Sequence, residues 1–307
     1  MRQTPAKRGL YDPQWEHDAC GIGAVANVSG RRDHAIIEYG NEVLLNLMHR
    51  GAAGSDESTG DGAGILFQIP HEFFEEEVRR LRFKLPETNR YGVAMVFGPR
   101  DAEFRGRCES LLNGAIDHLG LKVLGWRDVP TDNSCLGELA REAEPVVRQV
   151  FIDGAGLEGI ALERQLYLAR KRAEKLVQQR FGEQGEDFYL SSMSCRTVVY
   201  KGMFLAPQLF GYYPDLSDRR IVSALALVHQ RYSTTTFPNW RLAQPFRFLA
   251  HNGEINTLSG NMNRMRGREA RMSSPLLGDD LSDLYPIITP GASDSACFDN
   301  VLELLVM

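Results

Sequence analysis

The stretch DACGIGAVANVS (residues 18–29) joins a polar amino-terminal arm to the first predicted strand. Small and β-branched residues alternate in GIGAVANVS (21–29), a pattern that is typical of a buried strand. The arm before it, residues 1–19, shows no hydrophobic periodicity. Where a secretion signal would have an apolar core, it carries acidic residues: Asp12, Glu16 and Asp18. Cys20 therefore stands at the junction between an irregular segment and a buried strand.

Outward from this strand, apolar patterns predict strands in runs of two or three, with helices between the runs. Further strands are predicted at 65–69, 91–98, 122–129, 146–152, 195–202, 221–233 and 246–252. Helices are predicted at about 35–49, 104–119, 157–180, 257–272 and 298–307. This order differs from the regular alternation that builds a parallel sheet. We therefore expect an α+β architecture with antiparallel sheets covered by helices.

The composition is that of an ordinary globular protein. Of the 307 residues, 43% are hydrophobic and 24% are charged, with a formal net charge of −5. These values exclude a disordered or collagen-like chain and give no overall electrostatic reason to bind nucleic acid or an anionic membrane. No apolar run approaches the roughly 18–20 residues of a membrane-spanning helix. The five cysteines are odd in number and form no CxxC pair, which predicts inert thiols in a reducing cytosol and no metal cluster.

Two of the predicted helices bear on possible partners. In 157–180, Lys and Arg alternate with Glu, which indicates a solvated face rather than an RNA-binding stripe. The apolar pattern of 298–307 ends without a capping glycine. It predicts either a fragment of a longer protein or a surface that a partner covers.

Cys20 is a candidate nucleophile because of its position in the chain. Removal of residues 1–19 would give it a free α-amine, whose pKa of about 7.7–8.0 lets it accept the thiol proton near neutral pH. The alternative interpretation is a buried structural cysteine, since free cysteines often pack as small hydrophobic residues.

Two other segments carry polar side chains at predicted strand ends. LVHQRYSTTTFPNW (227–240) places Arg231 before a Thr-rich loop, and its planar guanidinium suits a carboxylate. LAHNGEIN (249–256) contains Asn252-Gly253, an amide beside an unobstructed backbone N–H, which suits an oxyanion hole. Each also has a common structural explanation, since Asn-Gly is a frequent turn and a strand-end arginine usually faces water.

Other polar motifs have simpler interpretations. TGDGAG (59–64) lacks both the P-loop Lys-Ser/Thr and the GxGxxG spacing, and we interpret it as a tight turn. His229 and His251 are predicted to pack or to support neighbouring groups. They would form a metal site only with a third ligand, and none is evident.

Several of these motifs together resemble one family. They are DACGIG, HRGA (49–52), TGDGAGI (59–65), HQRYSTTTFPNW (229–240), HNGEINTLSGN (251–261) and GASDSACFDNVLELL (291–305). In the same order, they resemble the glutaminase domain of glutamate synthase, a class II glutamine amidotransferase among the amino-terminal-nucleophile (Ntn) hydrolases. The resemblance runs from about residue 9 to the end of the sequence.

The resemblance implies a four-layer αββα sandwich of two antiparallel sheets. It implies that residues 1–19 are a propeptide and that residues 20–307 are the amidotransferase domain, truncated at its carboxyl end. Cys20 would be the nucleophile and its α-amine the base. Asn252 and Gly253 would form the oxyanion hole. The remaining two roles fall on Arg231, which would bind the α-carboxylate of glutamine, and on Asp294, which would bind its α-ammonium group.

The implied reaction is hydrolysis of L-glutamine to glutamate and ammonia through a γ-glutamyl thioester on Cys20. In the full enzyme, ammonia would pass to 2-oxoglutarate in a synthase region containing FMN and an iron–sulfur cluster, with a small NADPH-oxidising subunit as a further partner. This fragment itself would need no cofactor, would bind neither nucleic acid nor membrane, and would be cytoplasmic. HQRYSTTT departs from the more usual HSRFSTNT, which affects the neighbours of Arg231.

Two alternatives stay open at this point. The chain could be a non-catalytic or unprocessed fragment that serves as a partner or regulatory domain. It could also be another class II amidotransferase.

Overall fold

Antiparallel strand pairs build two four-stranded sheets. The computed structural model describes residues 21–53, 56–231 and 237–307. In this part of the chain the strands are β1 (Ile22–Ala26), β2 (Ala63–Gln68), β3 (Tyr91–Gly98), β4 (Lys122–Asp128), β5 (Val146–Asp153), β6 (Tyr189–Ser194), β7 (Thr197–Gly202) and β8 (Leu225–Gln230). The first sheet has the order β1-β8-β2-β7 and the second β4-β5-β3-β6. Every neighbouring pair is antiparallel.

The register of the first sheet brings three strand ends together. Ile22 of β1 lies opposite His229 of β8, and Ala63 of β2 lies opposite Gln230. Because both pairs are antiparallel, the start of β1, the end of β8 and the start of β2 share one end of the sheet.

The two sheets pack against each other. The largest hydrophobic cluster contains Ile65 and Phe67 of β2 together with alternate residues of β3, namely Val93, Met95 and Phe97. A buried hydrogen bond of 3.0 Å also joins the sheets, from the amide of Gln149 on β5 to the hydroxyl of Tyr200 on β7. Side chains of both sheets therefore share one core.

Helices form the outer layers. Those of the described residues are α1 (Ala35–Asn46), α2 (His71–Arg80), α3 (Ala102–His118), α4 (Glu138–Glu142), α5 (Gly159–Phe181), α6 (Gln208–Tyr212), α7 (Leu258–Glu269) and α8 (Asp294–Val306). Leu112 of α3 and Leu166 of α5 pack with Val150 of β5 in a second cluster, on the outer face of the second sheet. On the first sheet, α1 packs against β1 and β8. The predicted αββα sandwich is confirmed.

A third hydrophobic cluster joins α5 to the carboxyl-terminal part of the chain. It contains Tyr167 and Leu168 of α5, Met265 of α7 and Cys297 of α8. None of the described helices is long and apolar enough to cross a membrane.

The predicted strand at 246–252 is wrong, because these residues form an irregular loop. Side chains form hydrogen bonds with backbone groups that would pair with a neighbouring strand in a sheet. Asp299 accepts a hydrogen bond from the Phe248 N–H at 2.8 Å, and Gln244 bonds to both backbone groups of His251. Backbone groups of this segment are therefore hydrogen-bonded without a neighbouring strand.

The predicted solvated face of the 157–180 helix is also wrong in its central turns. Arg170 is 1% exposed and Lys171 is 8% exposed. Arg170 binds Glu174 on its own helix and Glu303 on α8, and Lys171 donates to the carbonyl oxygens of Pro286 and Ile287. These partners come from α5 itself and from the carboxyl-terminal part of the chain, and they replace water around the two side chains.

The helix predicted at 298–307 begins earlier, at Asp294. Ser293 caps it, since its hydroxyl accepts a hydrogen bond from the Ala296 N–H at 3.3 Å. A serine at this position satisfies a backbone donor that the helix leaves unpaired. Asp294 consequently lies in the first turn of α8. The sequence pattern did not predict α2, α4, α6 or β6.

Candidate active site

The shared end of β1, β8 and β2 is the centre of the candidate site. The Gln230 N–H donates to the carbonyl of Gly21 at 2.8 Å, and the Arg231 N–H donates to the carbonyl of Gly62 at 2.8 Å. Three segments thus meet at one end of the sheet, although up to about 200 residues separate them in the sequence. They contain Gly21, Gly62 and Arg231.

Cys20 lies outside the described residues, and Gly21, which follows it in the sequence, is the first residue that the structure describes. Gly21 has no side chain, and a Cβ atom placed there would overlap the carbonyl oxygen of Gln230 and come within 2.8 Å of the Asn252 side-chain nitrogen. The backbone next to Cys20 therefore lies directly against the amide of Asn252. This close approach requires glycine at position 21.

Arg231 is buried, at 6% exposure. Its Nη1 donates to the carbonyl oxygen of Asp61 at 3.3 Å. Burial lowers the pKa of the Arg231 guanidinium, while the carboxylates of Asp61 and Asp294 act in the opposite direction. The cation thus lies in a poorly solvated position, and the carboxylates of Asp61 and Asp294 favour its charged form.

Asp61 is a functional candidate that the sequence pattern did not indicate, because TGDGAG was interpreted only as a turn. Asp61 is 6% exposed and precedes β2 by two residues. A buried carboxylate requires a cation or hydrogen bonds nearby. An acidic residue between two glycines next to a predicted buried strand is therefore the sequence feature that could have indicated a cation such as Arg231 nearby.

Asp294 connects α8 to the loop after Gly253. One carboxylate oxygen accepts a hydrogen bond from the Ile255 N–H at 2.8 Å, and the other accepts one from the Ser295 N–H at 2.6 Å. Since its charge also acts on Arg231, the structure brings Asp294 into the same region as the predicted carboxylate-binding residue.

Asn252 and Gly253 are exposed. At Gly253, an added Cβ atom would lie 2.9 Å from the imidazole of His251. A side chain at this position would therefore displace the neighbouring histidine. Both residues of the predicted oxyanion hole are accessible from solvent.

His229 lies beneath this loop and is 1% exposed. Burial lowers its pKa to about 4, and hydrogen bonds with the His251 carbonyl and the Asn252 side chain act in the opposite direction. The ring is consequently neutral at physiological pH. The predicted supporting role agrees with this environment.

The described cysteines are poor candidates for a nucleophile. Cys108, Cys135, Cys195 and Cys297 are free thiols. Burial raises the pKa of each of them above the ordinary value for cysteine. Since the thiolate is the reactive form, these thiols are expected to react slowly at neutral pH. In the described part of the chain, no group of three His, Cys, Asp or Glu side chains is placed to hold a metal ion.

Comparison with known proteins gives consistent matches. A sequence model of the family described as class II glutamine amidotransferases matches residues 20–307. The chain is 46% identical over 308 residues to "Glutamate synthase [NADPH] large chain" of Bacillus subtilis (strain 168), covering 99% of this chain and 20% of that protein. It is 44% identical over 298 residues to the protein of the same name from Azospirillum brasilense, covering 96% of this chain and 19% of the relative.

A eukaryotic relative gives a similar alignment. The chain is 45% identical over 314 residues to "Glutamate synthase [NADH]" of Saccharomyces cerevisiae, covering 99% of this chain and 14% of that protein. The chain thus spans a fifth or less of the length of these relatives.

Proposed function

Because the chain belongs to the class II glutamine amidotransferases, we propose that residues 20–307 hydrolyse L-glutamine to glutamate and ammonia, with Cys20 as the nucleophile. The close approach of Gly21 to the Asn252 side chain carries this proposal, since a Cβ atom at position 21 would lie 2.8 Å from the nitrogen of the proposed oxyanion donor. The family match also begins at residue 20. This start supports the proposal that residues 1–19 are a propeptide whose removal frees the Cys20 α-amine.

The first chemical step is attack of the Cys20 sulfur on the side-chain amide carbon of glutamine. The α-amine of Cys20 takes the thiol proton. A C–S bond forms, and the carbonyl electron pair moves onto oxygen, where the Asn252 side-chain amide and the Gly253 N–H stabilise it as an oxyanion. Neutral donors suit this role because they stabilise developing charge without a permanent charge of their own.

Collapse of this intermediate breaks the C–N bond. The α-ammonium group returns its proton to the leaving nitrogen, so ammonia departs and a γ-glutamyl thioester remains. Water then attacks the thioester, the α-amine accepts one of its protons, and cleavage of the C–S bond releases glutamate and the thiol. The α-amine thus acts as base and acid in turn.

Substrate binding follows from charge. The buried guanidinium of Arg231 would pair with the α-carboxylate of glutamine, for which its planar fork is suited. Asp294 would pair with the α-ammonium group through the lone pairs that its two backbone hydrogen bonds leave free. The two groups distinguish an α-amino acid from a simple amide.

The function of the whole enzyme is a further part of the proposal. Relatives five or more times longer are glutamate synthases by name, and we propose that the ammonia passes to 2-oxoglutarate in a synthase region of the same enzyme. The dispersed, free cysteines described here do not fit an iron–sulfur cluster. The cluster would therefore be bound elsewhere in the enzyme, and we propose that FMN and a small NADPH-oxidising subunit bind there too. Free thiols also favour a cytoplasmic location.

Intact mass combined with a glutaminase assay tests the proposal. We expect a mass that lacks residues 1–19 and ammonia release that Cys20→Ser lowers by about 10³-fold or more. An electrophilic glutamine analogue should label Cys20 alone. Cys135→Ser is the matched control, since this half-buried thiol should leave turnover unchanged.

Near-normal turnover in Cys20→Ser would contradict the nucleophile assignment. A retained Met1 together with no glutaminase activity would favour the alternative of a non-catalytic, unprocessed domain. Labelling of any described cysteine in place of Cys20 would also count against the assignment.

A further inference from the structure

The carbonyl oxygen of His251, directly before the oxyanion pair, receives two side-chain donors. Gln244 donates from Nε2 at 3.0 Å, and His229 donates from Nε2 at 3.2 Å. Gln244 also accepts a hydrogen bond through Oε1 from the His251 N–H at 2.9 Å. One glutamine side chain thus binds both backbone groups of His251, as a neighbouring strand would.

Both donors are buried and firmly placed. Gln244 is 5% exposed, and His229 lies in β8. The residue before Gln244 is anchored as well, since the buried Nζ of Lys201 on β7 donates to the Ala243 carbonyl at 2.7 Å. The support of the loop therefore comes from the same sheet that ends at Arg231.

The tautomer of His229 agrees with this arrangement. Its Nδ1 is buried and has no hydrogen-bond partner among the described residues. A carbonyl can only accept, so the proton of the neutral ring must lie on Nε2, where it points at His251.

Orientation of the His251 carbonyl determines the placement of the next residue. The peptide group is planar, so fixing this oxygen also fixes the nitrogen and Cα of Asn252. Oxyanion donors must lie about 2.7–3.1 Å from the developing charge. Small displacements of these donors therefore reduce the stabilisation of the transition state more than the binding of the substrate. A loop without strand pairing requires such support from side chains.

We propose that Gln244 and His229 are positioning residues that hold the His251–Asn252 peptide so that Asn252 and Gly253 meet the oxyanion. The inference rests on the proposed glutaminase function. It assigns to these two side chains an effect on kcat rather than on glutamine binding, because both bind the His251 backbone, whereas Arg231 and Asp294 are the residues proposed to hold the substrate.

Gln244→Glu is the sharpest test. The variant keeps the shape and the acceptor for the His251 N–H, but it sets a carboxylate oxygen against the His251 carbonyl. We expect kcat for ammonia release to fall about 10-fold or more, with KM for glutamine within about twofold. Near-UV circular dichroism checks that the variant is folded.

Two uncharged variants of His229 provide a second test. His229→Leu removes the donor and should lower kcat in the same way. His229→Gln places an amide nitrogen near the position of the imidazole Nε2 and should recover most of kcat. Rescue by glutamine is not expected if His229 only fills space.

Gln208→Glu is the matched control. Gln208 is a buried glutamine that likewise accepts from one backbone N–H, of Leu205, and donates to backbone carbonyls, of Ser58 and Cys135. It should lose stability as Gln244→Glu does while keeping kcat.

Unchanged kcat in Gln244→Glu and His229→Leu, or an equal loss in Gln208→Glu, would overturn the inference. A rise in KM at constant kcat would overturn it too. The Cys20→Ser variant distinguishes refutation of this inference from refutation of the proposed function. If Cys20→Ser is inactive and Gln244→Glu is fully active, only the positioning role is refuted.

Discussion

His229 shows at the scale of one residue how burial is coupled to protonation. Burial is the main cause that lowers its pKa from 6.5 to about 4, and the positive charge of Arg231 acts in the same direction. The unfolded chain therefore binds a proton at higher pH than the folded chain does. This linkage contributes fully to stability above pH 6.5, and the contribution is lost as the pH falls from 6.5 towards 4.

We expect this histidine to make the protein about 2 kcal/mol less stable at pH 5 than at pH 7. Urea unfolding of the wild type and of His229→Gln at both pH values measures the effect, since the difference between the two proteins cancels the other titrating groups. An NMR titration of the His229 ring should show a midpoint near 4. The same pH dependence in both proteins, or a midpoint near 6.5, would contradict the burial argument.

Individual residues of the candidate site differ in how well sequence predicts them. Arg231 and Asn252 occur in recognisable motifs at predicted strand ends, and the structure places both near the first strand. Gln244 could not be found in this way, because its role depends on a backbone group seven residues later in a loop. Supporting side chains bind backbone, and the backbone groups that need them are known only once the loop conformation is known.

The pairing of α5 with α8 is the clearest relationship between elements. Arg170, which is 1% exposed, binds Glu303 from 133 residues away and Glu174 one turn on. Arg170→Met should lower the free energy of unfolding by about 3–5 kcal/mol, because Glu303 would stay buried without its cation. Since Asp294 lies in the first turn of α8, KM for glutamine should rise as well.

Arg172→Met is the matched control on the same helix. Arg172 pairs with Asp283 at a position where the two side chains are 27% and 21% exposed. Loss of such a pair should cost less than about 1 kcal/mol. In contrast, Arg170→Met combined with Glu303→Met should recover much of the lost stability. Equal losses in the two single variants would show that the buried pair has no special weight.

Elements defined by their own residues were predicted best. The apolar run of β3, closed by Gly and Pro, was predicted with its observed bounds, Tyr91–Gly98. The loop at 246–252 also contains several apolar residues but forms no strand, because Asp299 and Gln244 bind its backbone groups. Buried charge in α5 was missed for the same reason, since its partners are distant in sequence. The local sequence pattern thus predicts where an element can form. Contacts with residues distant in sequence determine whether it forms and which side chains it buries.

At the scale of the whole molecule, the candidate site belongs to one half of the sandwich. Gly21, Gly62 and Arg231 lie at one end of the first sheet. The second sheet contributes the shared core, and its outer face packs against α3 and α5. Stability should therefore depend on both sheets, and catalysis mainly on the first.

Two equal truncations in central strands separate these contributions. Val150 of β5 and Val228 of β8 are both 0% exposed. Val150 faces the outer helices, whereas Val228 pairs with Gly23 and directly precedes His229. Each change to alanine should lower the free energy of unfolding by about 1–3 kcal/mol.

The kinetic effects of the two truncations should differ although their stability costs are similar. Val150→Ala leaves the end of the first sheet intact, so kcat and KM for glutamine should stay within about twofold of the wild type. Val228→Ala loosens β8 beside His229 and should lower kcat several-fold, because small displacements of catalytic donors are costly. Assays well below the melting temperature of each variant keep both proteins folded. Equal kinetic losses in the two variants would mean that the site depends on the whole sandwich rather than on its first sheet.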